Sequence, residues 1–110
     1  MKAYAIAHLQ LRRMHADIVA YVERIEATLE PYRGRYLIHG GHSVDVREGE
    51  WRGDLVVIEF PDRERATAWY ESAAHQEIVP LRTRHAAGPV ILVDGVRAGH
   101  RATDVLSQAA

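Results

Sequence analysis

Residues 55–60 read LVVIEF, a run of six in which only Glu59 is charged. Its brevity and β-branched content mark a strand. Alternation sends Val56, Ile58 and Phe60 to one side and Leu55, Val57 and Glu59 to the other. Both sides are largely apolar, so the strand belongs in the middle of a sheet whose two faces are both covered. Upstream, Lys2–Leu11 also alternates, with Tyr4, Ile6 and His8 against Ala3, Ala5, Ala7 and Leu9, and reads as a first strand. From Met14 the period changes. Ile18, Val22, Ile25 and Leu29 recur at helical spacing, with Glu23, Arg24, Glu26 and Glu30 on the other side, and Pro31 with Gly34 ends that helix.

Residues 34–46 return to strand character, interrupted at Gly40-Gly41, where a curving strand would place a bulge or kink. EGEWRGD (48–54) is a turn. Downstream of LVVIEF, Asp62 caps a second helix whose stripe is Ala66, Trp69, Tyr70 and Ala73. A short helical piece over 75–84 follows, with Pro80 expected to break it. GPVILVD (88–94) is the last strand, and the small polar tail 96–110 either frays or forms a short helix. The chain therefore reads as one domain, 1–95, plus a tail, 96–110.

The order strand, helix, strand, strand, helix, strand predicts an α+β, ferredoxin-like βαββαβ fold with an antiparallel sheet in the order 4-1-3-2 and both helices on one face. The apolar open face then needs a cover. A second copy of the same sheet is the economical one, giving a homodimer, because a two-fold interface is self-complementary.

Composition narrows the function classes. Fourteen basic and fifteen acidic side chains give a net charge of -1 with no basic run, so nucleic acid is not an expected partner. The absence of cysteine excludes thiolate nucleophiles, disulfides and Cys-type zinc sites. No apolar run reaches membrane-spanning length and no signal-peptide pattern opens the chain, so the expectation is a soluble cytoplasmic protein without a membrane partner. No phosphate loop, dinucleotide fingerprint or nucleophile elbow is present, and no cofactor is expected.

Five motifs in order carry a family resemblance: YAIAH (4–8), GRYLIHGG (34–41), EGEWRGDLVVIEFPD (48–62), AxAWYESAAHQ (66–76) and PVILVDG (89–95). Over roughly residues 2–95 the chain resembles the domain-of-unknown-function 1330 family, within the dimeric α+β barrel superfamily. The resemblance implies a ferredoxin-like protomer whose open sheet faces pair into a barrel, with a cleft in each protomer. It implies no particular reaction. Relatives in the superfamily include cofactor-free monooxygenases, haem-degrading enzymes, chlorite dismutase-like proteins and muconolactone isomerase-like enzymes, and a shared fold does not transfer their chemistry.

Candidate site residues follow from type and placement. His39 and His42 lie at the same end of the sheet as His8, at the mouth of a cleft; H-x-x-H on a kinked strand does not specify metal geometry, so no metal site is expected. Glu59 either forms an ion pair at the interface or, if desolvated, serves as a general base. His8 and Glu59 cannot form a dyad, since antiparallel pairing separates them by roughly four residues of strand rise. One of Trp69 and Tyr70 is core and the other lines a cleft or a dimer seam, while Trp51 suits contact with a partner. Tyr4, Tyr36 and Arg82 complete a polar-aromatic cavity suited to a small organic acid or an aromatic ring. The ligand-binding set is therefore Tyr4, His8, Tyr36, His39, Glu59, Trp69 and Arg82. The preferred function is binding of a small apolar or aromatic metabolite in each protomer of a homodimer. The alternative is a cofactor-independent monooxygenase- or isomerase-like enzyme with His8, His39 or Glu59 as base.

Overall fold

The structure is a computed structural model that describes residues 1–40 and 43–108. Its elements are β1 (Ala3–Leu11), α1 (Ala16–Leu29), β2 (Arg35–Gly40), β3 (Asp54–Phe60), α2 (Arg63–Glu71), α3 (Ala73–Thr83), β4 (Ala86–Ala87), β5 (Val90–Asp94) and a short α4 (Val105–Gln108). The antiparallel sheet runs β2-β3-β1, and β4 and β5 share the far edge of β1. This is the expected ferredoxin-like order, with the last strand in two pieces. The break lies at Gly88-Pro89. Gly88 has φ +138°, and a Cβ there would collide with the carbonyl oxygen of His8. Pro89 has no N–H to give, but its carbonyl accepts from His8 N at 3.1 Å, so pairing with β1 continues across the gap.

Parity along β1 and β3 assigns every side chain to a face. Ala3 pairs with Phe60, Ala5 with Ile58 and Ala7 with Val56, and these sets point towards the helices. There they join Ile25, Leu29, Ala66, Trp69 and Ile78 in the core. The other face carries Tyr4, Ile6, His8, Leu55, Val57 and Glu59, flanked by Ile38, Ile91 and Val93. That face is left open, with Ile38 45% and Ile91 51% exposed.

Two local expectations are corrected, and one feature is added. The register of β2 against β3 shifts at Leu37, between Tyr36 and Ile38, a bulge that the sequence does not announce. Gly40 does have a positive φ, +131°, while Gly41 is outside the described residues. β2 also stops at Gly40 instead of reaching Val46, and Val44 and Val46 are exposed. Pro80 does not break α3. Both it and Gln76, whose carbonyl loses its partner, are on the exposed side of the helix, where water can satisfy that carbonyl. The real interruption is at Ser72, whose extended backbone separates α2 from α3. Its side chain donates to Trp69 O at 2.7 Å and accepts from His75 N at 3.2 Å, so one serine closes α2 and caps α3.

Gly88→Ala is expected to lower the unfolding free energy by at least about 2 kcal/mol in urea denaturation, since it combines a strained φ with a backbone collision.

Candidate functional site

Alanine on the helix side of β1 leaves space that branched side chains would fill. Between β1, β2 and β3 below and α1 and α3 above lies a cavity of about 280 Å³. Ala5, Ala7 and Ala86 contribute only methyl groups to its surface, and Tyr21, Tyr36, Trp69, Tyr70 and His75 provide aromatic walls. The bulge at Leu37 matters here. The extra residue puts Tyr36 and His39 on the same face, where their rings stack at 4.4 Å, with exposed His39 at the rim.

Arg82 supplies the positive charge. It is 6% exposed, lines the cavity and lies with its guanidinium carbon 5.7 Å from the Tyr21 ring centroid. Among the described residues no carboxylate pairs with it. Burial raises the Tyr21 phenol pKa, and the Arg82 charge partly offsets that rise. Burial likewise pushes the Tyr36 phenol well above its ordinary value, so both phenols remain protonated near neutral pH.

Trp69 is held by a buried chain in which its Nε1 donates to Thr28 Oγ1 at 3.0 Å and Thr28 donates to Ile25 O at 2.6 Å. His75, 1% exposed, packs against Trp69 at 4.1 Å between ring centroids. The helix break explains its orientation. Ending α2 at Glu71 deprives the Tyr70 carbonyl of a helical partner. His75 Nδ1 at 2.9 Å and Gln76 Nε2 at 2.7 Å take that role. A carbonyl only accepts, so Nδ1 carries the proton and Nε2 of the neutral ring is a bare acceptor. Burial lowers the His75 pKa, the bond to Tyr70 O opposes this, and the Arg82 charge lowers it further, so the net shift is downward.

The sheet divides the residues expected to form one site. Tyr36, His39, Trp69 and Arg82 meet in the cavity. Tyr4, His8 and Glu59 project from the opposite face. His8 stacks on Trp51 at 4.2 Å, and its Nε2 donates to Arg52 O. Glu59 accepts from Arg35 Nη2 at 2.9 Å and from Lys2 Nζ at 3.2 Å. Partial burial raises its pKa, but the bonds from Arg35 and Lys2 outweigh that and hold it below the ordinary carboxylate value. A Glu59 base of raised pKa is therefore not what the fold builds. His8 pairs with Leu55 and Tyr4 with Glu59, which keeps His8 and Glu59 apart along the strands. His42 lies outside the described residues.

Sequence reasoning missed His75 and Tyr21. His75, Ile78 and Arg82 share helical spacing and are all buried, but the stripe is visible only when α3 is drawn through Pro80. A second polar cluster joins α1 to the start of β4. His85 Nε2 lies 2.9 Å from Asp17 Oδ2 and the His15 ring stacks on His85 at 3.9 Å. Donor atoms of the three lie within 4.8 Å of one another, close enough to hold a metal ion. In the structure, however, His15 Nδ1 caps α1 by accepting from Asp17 N at 3.0 Å, and the Asp17 carboxylate, its pKa lowered first by the bond from His85, is also 3.8 Å from Arg84. The cluster thus ties the start of α1 to the end of α3.

Residues 2–96 match the family model described as Domain of unknown function (DUF1330). The chain belongs to this family. No curated protein matches the DUF1330 chain. Among solved structures it is similar to RPA0582, a protein of unknown function from Rhodopseudomonas palustris, with TM-score 0.62 and 13% identity over 87% of this chain and 83% of that one. SnoaB, a cofactor-independent oxygenase from Streptomyces nogalater, gives 0.59 and 11% over 91% and 98%. A dimeric ferredoxin-like protein of unknown function from Jannaschia sp. CCS1 gives 0.58 and 12% over 86% and 100%. At such identities the likeness is one of fold. No helix of the described residues is long and apolar enough to cross a membrane.

Because the Glu59 pKa is depressed on folding, its contribution to stability is present above the unfolded value of about 4.5 and is lost as pH falls through the lower folded value. Glu59→Gln should therefore lower the melting temperature at pH 7, with the gap to the parent protein closing in acid; a gap independent of pH would contradict the ion-pair assignment.

Proposed function

We propose that this DUF1330 protein forms a homodimer through its open sheet face and that each protomer binds a small aromatic or largely apolar molecule with one anionic or acidic oxygen in the helix-side cavity. The observation that carries the ligand assignment is Arg82. A guanidinium in an aromatic-walled cavity, with no carboxylate partner among the described residues, is costly unless an anion meets it there. The cavity, at about 280 Å³, falls just below the usual span of ligand pockets, roughly 300–1,000 Å³, so the ligand is small. One or two rings would fill it. The methyl floor and the rings of Tyr36 and Trp69 favour a flat ligand.

The dimer assignment rests on the open face. Ile6, Leu55, Val57, Ile38, Ile91 and Val93 form an apolar patch bordered by Glu59, Arg35 and Lys2, in the pattern of an interface with an apolar centre and a polar rim. The described dimeric state of the Jannaschia protein, of the same fold, supports the same assembly. In this reading Tyr4, His8 and Glu59 serve the interface and not the ligand.

Binding is tested by quenching of tryptophan fluorescence with salicylate and related benzoates and phenols. The parent protein should show saturable quenching, and Arg82→Leu should weaken it roughly 10- to 100-fold, the loss of a charge-assisted contact. No saturable response across the panel would refute the ligand assignment. Independently, Val57→Lys should turn the dimer into a monomer in sedimentation velocity, and a parent protein that is already monomeric would refute the interface.

A further inference from the structure

His75 is a buried imidazole of the cavity, set deeper than the exposed His39 at the rim, and the fold commits only one of its ring nitrogens. Its Nδ1 is committed to Tyr70 O at 2.9 Å, and its backbone N–H to Ser72 Oγ at 3.2 Å. Among the described residues no buried side-chain nitrogen or oxygen lacks a partner, and Nε2 makes no hydrogen bond. Nε2 therefore opens on the cavity that the ring lines. Arg82 lies seven residues further along α3, about 10 Å along the helix axis and on the same face. Long helical side chains lean towards the N-terminus, so Arg82 reaches back towards His75, and its charge is felt there. A neutral acceptor and a fixed cation thus share one wall of one cavity.

We propose that His75 is a general base, whose Nε2 takes the proton of a hydroxyl conjugated to a carbonyl, as in a hydroxyaryl ketone or an enol, while Arg82 stabilises the charge delocalised onto the far oxygen. This rests on the binding assignment above and specifies the chemistry of the same site. In the step the O–H bond breaks, its electron pair stays on the ligand and delocalises towards Arg82, and an N–H bond forms on Nε2; nothing is oxidised or reduced. Burial and the Arg82 charge keep the imidazole unprotonated before the ligand arrives, as a base must be. Once formed, the anion stabilises the new imidazolium beside it. The Tyr70 carbonyl, which accepts from Nδ1–H in both states, holds the ring in place throughout.

The probe is 4-nitrophenol, which carries its acidic hydroxyl at one end and a charge-accepting nitro group at the other and turns yellow on ionisation. Bound to the parent protein below the pH at which the free probe ionises, it should absorb as nitrophenolate, and the ¹⁵N resonance of His75 Nε2 should move from the bare to the protonated range. His75→Asn retains a donor for Tyr70 O and removes Nε2. At a given pH its bound probe should show a ratio of phenolate to phenol at least roughly tenfold lower than in the parent protein. A probe that binds the parent protein but stays colourless, an Nε2 resonance that does not move, or ionisation undiminished in His75→Asn would each overturn the base assignment while leaving the binding assignment intact. Absence of quenching by the probe where salicylate does quench would overturn the base assignment alone, and absence of quenching by the probe and the whole panel would overturn both. The ¹⁵N measurement needs only the parent protein and decides the matter even if the variant fails to fold.

Discussion

Two-residue alternation along β1 and β3 is the constraint from which the rest of the protein follows. Each side chain on these strands must point to one of two faces, and a single sheet separates them. The alanines at 3, 5 and 7 face the helices, and because methyl groups fill little volume, the space above Ala5 and Ala7 remains as a cavity. Tyr4, Ile6 and His8 face away, with Leu55, Val57 and Glu59 beside them. A slip of one residue would exchange the two sets, emptying the core and burying Glu59. The same alternation therefore fixes where the core forms, where the cavity lies and which apolar face stays open.

The chemistry of the cavity depends on a small departure from regular structure. A continuous helix over 63–83 would use the Tyr70 carbonyl internally and turn His75 into one more polar side chain on a helix. The break at Ser72 frees that carbonyl, and His75 and Gln76 bind it. The result is a buried imidazole with a fixed tautomer on the same face of α3 as a guanidinium that has no carboxylate partner among the described residues. A similar economy operates in β2, where one extra residue at Leu37 brings Tyr36 and His39 onto the cavity side together.

Much of the fold was legible in the sequence because its signals are local and reinforce one another. Period-two alternation located β1 and β3 and the face of each residue, Asp62 announced its cap and accepts from Arg65 N at 2.8 Å, and element order gave the sheet order. The misplaced features have non-local causes. The bulge at Leu37 went unread because the register against β3 sets it and leucine carries no conformational signature of it. Pro80 suggested a break, yet its cost is set by whether Gln76's carbonyl can reach water, which depends on the face that α3 exposes. The candidate site was half legible. Residue type selected Tyr36, His39, Trp69 and Arg82 for the cavity, and it also selected Tyr4, His8 and Glu59, since type alone does not say on which side of a sheet a polar group stands. His75 was passed over because its role comes from a carbonyl five residues away that only the helix break leaves free.

The chain contains two tryptophans, and the sheet places one on each side: Trp69 in the cavity wall and Trp51 against His8 on the open face. ¹⁹F NMR of fluorotryptophan-labelled protein reads both at once. Separation of a ligand side from an assembly side predicts that 4-nitrophenol shifts the Trp69 resonance with little effect on Trp51, and that dilution through the dimer–monomer transition shifts Trp51 with little effect on Trp69. A ligand that moves Trp51 alone, or dilution that moves only Trp69, would contradict the division of the molecule on which the functional account depends.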